Sequence, residues 1–329
     1  MILPRSLGRR NAPCYAIGLL VLLAAGCAPL PSHPPNVVLE DAHNSGYRLA
    51  FSSASDTLAS AGTEGRVRLW RLPLATEIAS WKAHDGSIHG LLFLDRDRLL
   101  LSAGHDATLA VWDREGRLQR RRPTPSPITD LAGSEAAGLV VTGHADGVVR
   151  VWSLPRLEPV SEHRLHRGAV LAVDFHAATR RYASSGRDGQ VKIWKHDEPP
   201  TALPPPPGNA HHLAFAPDGG TLTGSGWFRL YRWPLAAPRT LTVLPTEHRG
   251  LIKSIQYTRD GRQIATISRE TDSAVDLLDA RTGAVTRRFR PHELCGTHLR
   301  LSPDERYLAT TSDDASVRIW DFQRLIPPQ

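Results

Sequence analysis

The sequence predicts an all-β protein in which one small four-stranded sheet is repeated seven times. Three observations favour this fold: a tryptophan that recurs at regular intervals, short runs of apolar and β-branched residues, and Asp-Gly turns between those runs. Hydrophobic residues make up 41% of the 329 residues, so a large core can form and wholesale disorder is excluded.

The chain begins with a segment that predicts export. Arg5, Arg9 and Arg10 precede an uncharged apolar run over residues 16–25. Ten helical residues rise only about 15 Å, roughly half of a bilayer core. The run therefore indicates an export signal and not a membrane-spanning helix.

Residues 23–27, Leu-Ala-Ala-Gly-Cys, resemble the lipobox of bacterial lipoproteins, although Ala24 stands where leucine is commonest. The resemblance implies that residues 1–26 are a cleaved signal peptide and that Cys27 is lipidated. Residues 27–35 would then be the lipidated cysteine and a Pro-rich tether. No aspartate follows Cys27, which in that family favours the outer membrane, facing the periplasm. An ordinary signal peptide with an unrelated cysteine is the alternative.

Cleavage of the signal segment would change the net charge of the chain and the number of its unmodified cysteines. It removes three arginines and lowers the net charge from +7 to +4, too little to indicate nucleic acid binding. Cys295 would remain as the only unmodified cysteine, so an intramolecular disulfide framework is excluded.

The repeat is defined by its tryptophans. The first four strong copies end at tryptophans separated by 42, 40 and 42 residues: Trp70, Trp112, Trp152 and Trp194. Trp320 follows 126 residues later, a distance that holds three further periods. Weaker copies end near Trp233 and at Leu278, which brings the count to seven.

Each copy contains the signals of four short strands. In the fourth copy, apolar and β-branched runs occupy residues 170–175, 182–185 and 190–194, with a turn at 187–189. This pattern resembles the WD-repeat family of β-propellers. The resemblance covers residues 36–322 and implies a seven-bladed β-propeller of four-stranded antiparallel blades, followed by a tail at residues 323–329.

A polar set recurs in copies two, four and seven. A histidine precedes an aspartate by 22 residues and a tryptophan by 28, and a serine or threonine lies four residues before the aspartate. In the WD-repeat family such side chains are linked by hydrogen bonds inside a blade, so the resemblance implies a structural network. Its members are His84, Ser102, Asp106, Trp112, His166, Ser184, Asp188, Trp194, His292, Thr310, Asp314 and Trp320. A hydrolase needs such a set once and not three times, so no catalytic residue is predicted.

The other copies depart from this pattern. The third has prolines where the histidine belongs, the first has Glu64 for the aspartate, and the fifth has Trp227 in the turn. We therefore expect stability to rest mostly on blades two, four and seven.

The outer strands of blades seven and four are expected to differ from those of the other blades. Few residues follow Asp321, so residues 36–40 are predicted to supply the outer strand of blade seven and close the ring. The outer strand of blade four falls in the Pro-rich residues 198–207 and should be missing or very short. That segment is either a lengthened connection or an open edge for a partner.

In the WD-repeat family the turns before the tryptophan strands surround the mouth of the central channel. The candidate partner-binding face consists of His105, Arg187, Trp227 and Asp313, because mixed charge and an exposed aromatic suit protein contact. Arginines at 120–122 and 287–290 fall on outer strands, where we expect solvated edges.

No metal or cofactor is predicted. His105 and His144 could approach the mouth from neighbouring blades, but no ligand set follows zinc-like spacing. Haem, Walker and dinucleotide motifs are also missing from the sequence.

The sequence thus favours a monomeric, non-catalytic scaffold that binds a protein or peptide partner and is displayed from a bacterial envelope membrane by a lipid anchor. Two alternatives stay open: an accessory factor in outer-membrane protein assembly, and a propeller hydrolase or lyase with a metal ion in the channel.

Overall fold

The computed structural model describes residues 33–196, 198–270 and 272–326. The predicted signal segment and Cys27 lie outside the described residues. Seven four-stranded antiparallel sheets form the described chain, which confirms the predicted seven-bladed propeller. Among these residues, no helix has the length and apolar character needed to cross a membrane.

The elements follow one another along the chain without interruption by α-helices in the described part. In order, they are β1 (Val37–Leu39), β2 (Gly46–Phe51), β3 (Thr57–Gly62), β4 (Arg66–Arg71), β5 (Thr76–Lys82), β6 (Ile88–Leu94), β7 (Leu99–Gly104), β8 (Thr108–Asp113), β9 (Leu118–Pro123), β10 (Ile128–Ser134), β11 (Leu139–His144), β12 (Val148–Ser153), β13 (Glu158–Arg164), β14 (Val170–His176), β15 (Arg181–Gly186), β16 (Val191–Lys195), β17 (Thr201–Ala202), β18 (His212–Phe215), β19 (Thr221–Ser225), β20 (Arg229–Pro234), β21 (Thr242–Pro245), β22 (Leu251–Tyr257), β23 (Gln263–Arg269), β24 (Val275–Asp279), β25 (Val285–Phe289), β26 (Gly296–Leu301), β27 (Tyr307–Ser312), β28 (Val317–Asp321) and a short 3-10 helix (Phe322–Arg324).

Blades one to six each take four consecutive strands, from β2–β5 to β22–β25, and blade seven combines β26–β28 with β1. In blade seven Val37 lies opposite Ile319 and Leu39 opposite Val317. The indole of Trp320 also donates to the carbonyl oxygen of His33 at 2.9 Å. The predicted closure is therefore confirmed, and β28 is not left as an open edge.

A glycine fixes the turn that positions the next blade. Gly65, between β3 and β4, has a φ of +75°, and a Cβ there would lie 2.1 Å from the carbonyl oxygen of His84. Only glycine fits such a turn. The amide of His84 in turn donates to the Gly65 carbonyl at 3.1 Å, so the turn of blade one holds the histidine loop of blade two.

The core lies between adjacent blades. Leu69 and Trp81 of blade one pack in one buried cluster with Phe93 and Trp112 of blade two, and similar clusters join other neighbouring blades. Each blade therefore buries its faces against its neighbours, and only a closed ring covers all of them.

The outer strand of blade four is very short, as expected, because β17 contains only Thr201 and Ala202. The chain that follows β17 contacts blade five. Leu203 is buried, and the carbonyl of Pro204 accepts the indole N–H of Trp233 at 2.9 Å. These contacts favour a structural connection over an open edge.

Candidate partner-binding channel mouth

Blade two contains a complete four-membered network. His84 Nδ1 lies 2.9 Å from Asp106 Oδ1, and His84 Nε2 lies 2.7 Å from Ser102 Oγ. The indole of Trp112 donates to the same Ser102 oxygen at 2.9 Å. Burial alone raises the pKa of Asp106, but the hydrogen bond and charge of His84 outweigh it, so the pKa falls below its ordinary value.

Blades four and seven depart from the arrangement that the resemblance implies. His166 lies 3.0 Å from Asp188 and 2.9 Å from Ser184, but the Trp194 indole N–H has no hydrogen-bond acceptor among the described residues. In blade seven, His292 Nδ1 lies 2.9 Å from Asp314 Oδ2 and His292 Nε2 lies 2.7 Å from Thr310 Oγ1. The fourth member, Trp320, donates to His33 instead.

Blade one, by contrast, has a complete network in which Glu64 replaces the aspartate. His43 Nδ1 lies 2.5 Å from Glu64 Oε1, His43 Nε2 lies 2.8 Å from Ser60 Oγ, and the Trp70 indole donates to Ser60 at 2.8 Å. A glutamate in the turn therefore reaches the histidine as an aspartate does, so a complete network is not restricted to blades two, four and seven. That stability rests mostly on those three blades stays a prediction.

Blade three obtains its imidazole from an unexpected position. His144, at the end of β11, is fully buried, and its Nε2 lies 2.8 Å from Thr142 Oγ1, which also accepts the Trp152 indole N–H. The prolines that displace the usual histidine are thus compensated from within the blade. His144 does not reach the channel mouth, so its suggested pairing with His105 is wrong.

The arginines of blade six also differ from expectation. Arg288 is largely buried and forms ion pairs with Asp272 at 2.5 Å and with Asp276 at 2.7 Å. It neutralises two buried carboxylates and is not a solvated edge residue.

The channel mouth is built by bulges in the inner strands. The first strand of every blade except blade five shows a register shift near its beginning, which leaves one residue unpaired. A bulge turns its extra side chain out of the regular alternation. Together with His211, which precedes β18 in blade five, the unpaired residues form what we call the mouth ring: Tyr47, His89, Thr129, Leu171, His211, Lys253 and Thr297.

All seven mouth-ring residues line one cavity, the mouth cavity, with a volume of about 630 Å³. This size is within the range of small-ligand and peptide-side-chain sites. The other lining residues are Arg48, His105, Asp130, Ala169, Val170, Arg187, Asn209, His212, Leu251 and Arg269.

The mouth cavity has more positive than negative groups. Arg48 forms an ion pair with Asp130 at 2.8 Å, and Arg269 forms one with Asp313 at 2.9 Å. Arg187 and Lys253, in contrast, have no carboxylate within ion-pair distance among the described residues. The cavity therefore presents two cations without a direct ion-pair partner among the described residues, although the carboxylates of Asp130 and Asp313 lie close enough to favour the charged form of Lys253.

Burial sets the protonation states around these cations. It lowers the pKa of Lys253 to about 8, with Arg48 and Arg269 adding to the effect, so the ammonium group is still mostly charged at pH 7. Burial followed by nearby positive charge lowers the pKa of His89 to about 3 and that of His211 to about 4. Both imidazoles are neutral at pH 7 and leave the charge of the cavity to the arginines and the lysine.

The four residues of the candidate face all lie at or beside this cavity. His105 and Arg187 line it directly, and Asp313 borders it through its ion pair with Arg269. Trp227 is 42% exposed and pairs through its backbone with Leu251, another lining residue.

Phe228 extends the exposed aromatic surface next to Trp227. It is 45% exposed, and the two ring centroids are 5.7 Å apart. We call this pair the aromatic rim. Sequence reasoning singled out Trp227 but missed Lys253, because a lysine on an inner strand shows no sign of the bulge that directs it to the cavity.

Below the mouth, the channel contains buried polar groups. His298 is 1% exposed, and neither ring nitrogen has a hydrogen-bond partner among the described residues. Asp174 accepts the Phe215 amide at 2.6 Å, and burial raises its pKa to about 6. A second cavity of about 390 Å³, lined by Asp174, Gln256 and Arg300 among others, opens beyond this layer.

The burial of the repeated networks determines whether their serine hydroxyls could act on a substrate. Ser102 and Ser184 are fully buried, and each hydroxyl is bound by an imidazole of its own blade. A substrate has no access to these oxygens, so the arrangement is suited to holding strands together. Within the described parts of the chain, no group of three or more histidine, cysteine, aspartate or glutamate side chains is placed to hold a metal ion.

Comparison with known proteins gives matches to one repeat family. The family model described as "WD domain, G-beta repeat" matches residues 36–71, 75–113, 117–153, 157–195 and 283–321, more than half of the chain. The matched segments straddle the blades, because each begins with the outer strand of the preceding blade.

Several curated relatives are similar over most of this chain. Striatin-4 of Homo sapiens is 24% identical over 73% of the chain, and the match spans only 36% of that protein. Target of rapamycin complex subunit LST8 of Saccharomyces cerevisiae is 27% identical over 68% of the chain and 77% of its own length. Protein tipD of Dictyostelium discoideum is 28% identical over 85% of the chain and 40% of its own length.

Proposed function

Because the chain belongs to the WD-repeat family, we propose that it is a non-catalytic scaffold that binds a protein or peptide partner at the channel mouth. We further propose that a lipid on Cys27 displays it from a bacterial envelope membrane. The relative LST8, described as a subunit of a complex, supports a role in assembly with other proteins.

The observation that carries the partner-binding role is the construction of the mouth. Bulges in six inner strands direct side chains into one cavity, and the aromatic rim lies exposed beside it. Exposed large aromatics next to charged groups are typical of the residues that dominate binding energy in protein interfaces. The buried networks, in contrast, contribute rigidity to the ring that presents this surface.

The anchoring role is supported by the lipobox-like residues 23–27 and by the position of β1. Val37 begins β1 ten residues after Cys27. An extended Pro-rich chain of that length spans about 30 Å, enough to hold the propeller close to a membrane surface. Since β1 is the outer strand of blade seven, such a tether would leave from the outer side of the ring.

The partner-binding role is tested by affinity capture from envelope extract after mild cross-linking. We expect the same partner with the unmodified protein and with Leu74→Ala, and its loss with Trp227→Ala. Leu74 is a suitable control because it is 81% exposed in the turn between β4 and β5, away from the mouth cavity. Identical capture by all three proteins, or capture by none, would contradict the assignment.

The anchor is tested by fractionation of cells that express the full chain. Cys27→Ser should move the protein from the membrane to the soluble fraction, whereas Cys295→Ser, the matched control, should leave it in the membrane. Membrane retention of Cys27→Ser would remove the lipid anchor from the proposal and leave partner binding unaffected.

A further inference from the structure

We propose that the segment bound in the mouth cavity is an acidic peptide, with a carboxylate group placed against Lys253 and Arg187 and an apolar side chain on the aromatic rim. This inference rests on the proposed partner-binding function and specifies the chemistry of the partner.

The charge pattern of the cavity favours an anionic ligand. Both carboxylates at the cavity are already paired, Asp130 with Arg48 and Asp313 with Arg269. A basic ligand would have to break one of these ion pairs. An acidic ligand could instead form direct ion pairs with Lys253 and Arg187, which have none with the described residues.

The position of Lys253 supports this choice. Its side chain stands in the mouth ring on the bulge of β22, partly buried, with two arginines and two aspartates nearby. Each of these aspartates is already paired with one of the arginines. Like charges in a partly desolvated cavity repel one another, so a ligand carboxylate gains more there than at an open surface. Surface ion pairs contribute little, whereas some close charge pairs in a desolvated interface are clearly favourable.

The shape of the surface favours a peptide over a free small anion. The mouth cavity includes apolar walls from Val170, Leu171 and Leu251 as well as its polar groups. Leu251 links the cavity to the aromatic rim through its backbone pairing with Trp227. A chain that carries an acidic and an apolar side chain can contact both parts at once, and a free anion cannot.

The test uses fluorescein-labelled hexaglutamate, hexaglutamine and hexalysine peptides, titrated with the full chain in low salt and followed by fluorescence anisotropy. We expect hexaglutamate to bind, with no binding of the other two. Lys253→Met should weaken hexaglutamate binding about tenfold, or about 1.4 kcal/mol. Lys195→Met is the matched control and should bind normally, because Lys195 pairs with Glu198 on the outer part of blade four.

A second pair of variants covers the case in which Lys253→Met fails to fold. Arg187→Gln should weaken hexaglutamate binding, whereas Arg156→Gln should not, because Arg156 is exposed in the turn between β12 and β13. Equal binding of hexaglutamine, or unchanged binding by a folded Lys253→Met and by Arg187→Gln, would overturn the proposal. Inorganic phosphate that displaces the peptide at equal concentration would assign the cavity to a small anion and overturn the peptide.

The outcomes separate this proposal from the one on which it rests. Capture of a partner that depends on Trp227, without hexaglutamate binding, would contradict only the acidic character of the ligand. Hexaglutamate binding that depends on Lys253, without partner capture, would contradict only the protein-scaffold function.

Discussion

The network of blade two can be tested with His84→Ala. His84 is 1% exposed, and its two ring nitrogens lie 2.9 Å from Asp106 and 2.7 Å from Ser102. Alanine removes both hydrogen bonds and leaves a small cavity in the blade. Stability should therefore fall even though no residue of the candidate binding face is changed.

The expected loss follows from these contacts. Two hydrogen bonds contribute about 0.5–1.5 kcal/mol each. The partners are not orphaned completely, because Asp106 still accepts from the Asp85 amide and Ser102 still accepts from Trp112. With a modest cavity term, the free energy of unfolding should fall by about 2–4 kcal/mol. An unfolding entropy of about 2.1 cal/mol/K per residue converts this to a drop in Tm of about 3–6 °C for a chain of this size.

The assay is thermal and urea unfolding followed by tryptophan fluorescence and circular dichroism. His196→Ala is the matched control, because His196 is exposed and the described residues give it no hydrogen bond. A folded His84→Ala protein whose Tm equals that of the control would refute the reasoning, since it would mean that the buried bonds contribute no net stability.

Three further outcomes are expected. Trp112→Phe should destabilise the protein more than Trp194→Phe, measured by urea unfolding, because of these two indoles only that of Trp112 has a hydrogen-bond acceptor among the described residues; equal losses would contradict the role of that bond. Burial lowers the pKa of His212 and His298 well below 6.5, so the unfolded chain takes up protons more readily and the free energy of unfolding should fall as the pH drops from about 7 to 5. His298→Leu should lessen that fall without loss of stability at pH 7, because it removes two unpartnered buried nitrogens; an unchanged pH profile would argue against this origin. Deletion of residues 33–40 should lower the Tm and promote association, measured by light scattering, because it removes β1 and leaves the edge of β28 unpaired. A monomeric variant of unchanged Tm would count against closure by β1.

The fold could be predicted because most copies of the repeat carry similar local signals. A tryptophan ends the third strand in six of the seven copies, and a short polar turn such as Asp146-Gly147 or Asp188-Gly189 often precedes that strand, so the period of about 42 residues leaves little freedom in the architecture. The closing strand was predictable because residues 36–40 form an apolar, β-branched run that precedes the first inner strand and belongs to no other blade.

The details of the networks were harder to predict because hydrogen bonds depend on distance and not on sequence position. His144 replaces a histidine that the sequence places on a different loop, and no spacing rule indicates that its ring turns back to Thr142. Trp194, in turn, has the expected spacing but lacks the expected bond. Both cases depend on side-chain positions that residue spacing alone does not predict.

The residues of the channel mouth were the hardest to predict, because they are distant from one another in the sequence and because strand bulges direct their side chains into the cavity. Lys253 and His89 occupy equivalent bulge positions in β22 and β6, yet each is an ordinary polar residue when its own strand is considered alone. Only closure of the ring brings them to one cavity. The sequence pattern therefore predicted the exposed turn residues around the mouth, such as Trp227, but not Lys253 inside the mouth cavity.

The distribution of departures from the repeat indicates how one fold provides both a rigid frame and a specific surface. Blade five has Trp227 in the turn where the aspartate of the network is expected, and the indole of its Trp233 donates to the Pro204 carbonyl. Blade six lacks the tryptophan of the network and carries Lys253 and Arg269 at the mouth. The most divergent blades thus supply the aromatic rim and two of the cations. Because a closed ring is held by packing between all neighbouring blades, it can tolerate weaker networks in two of them, and those two are then free to vary at the surface where a partner would bind.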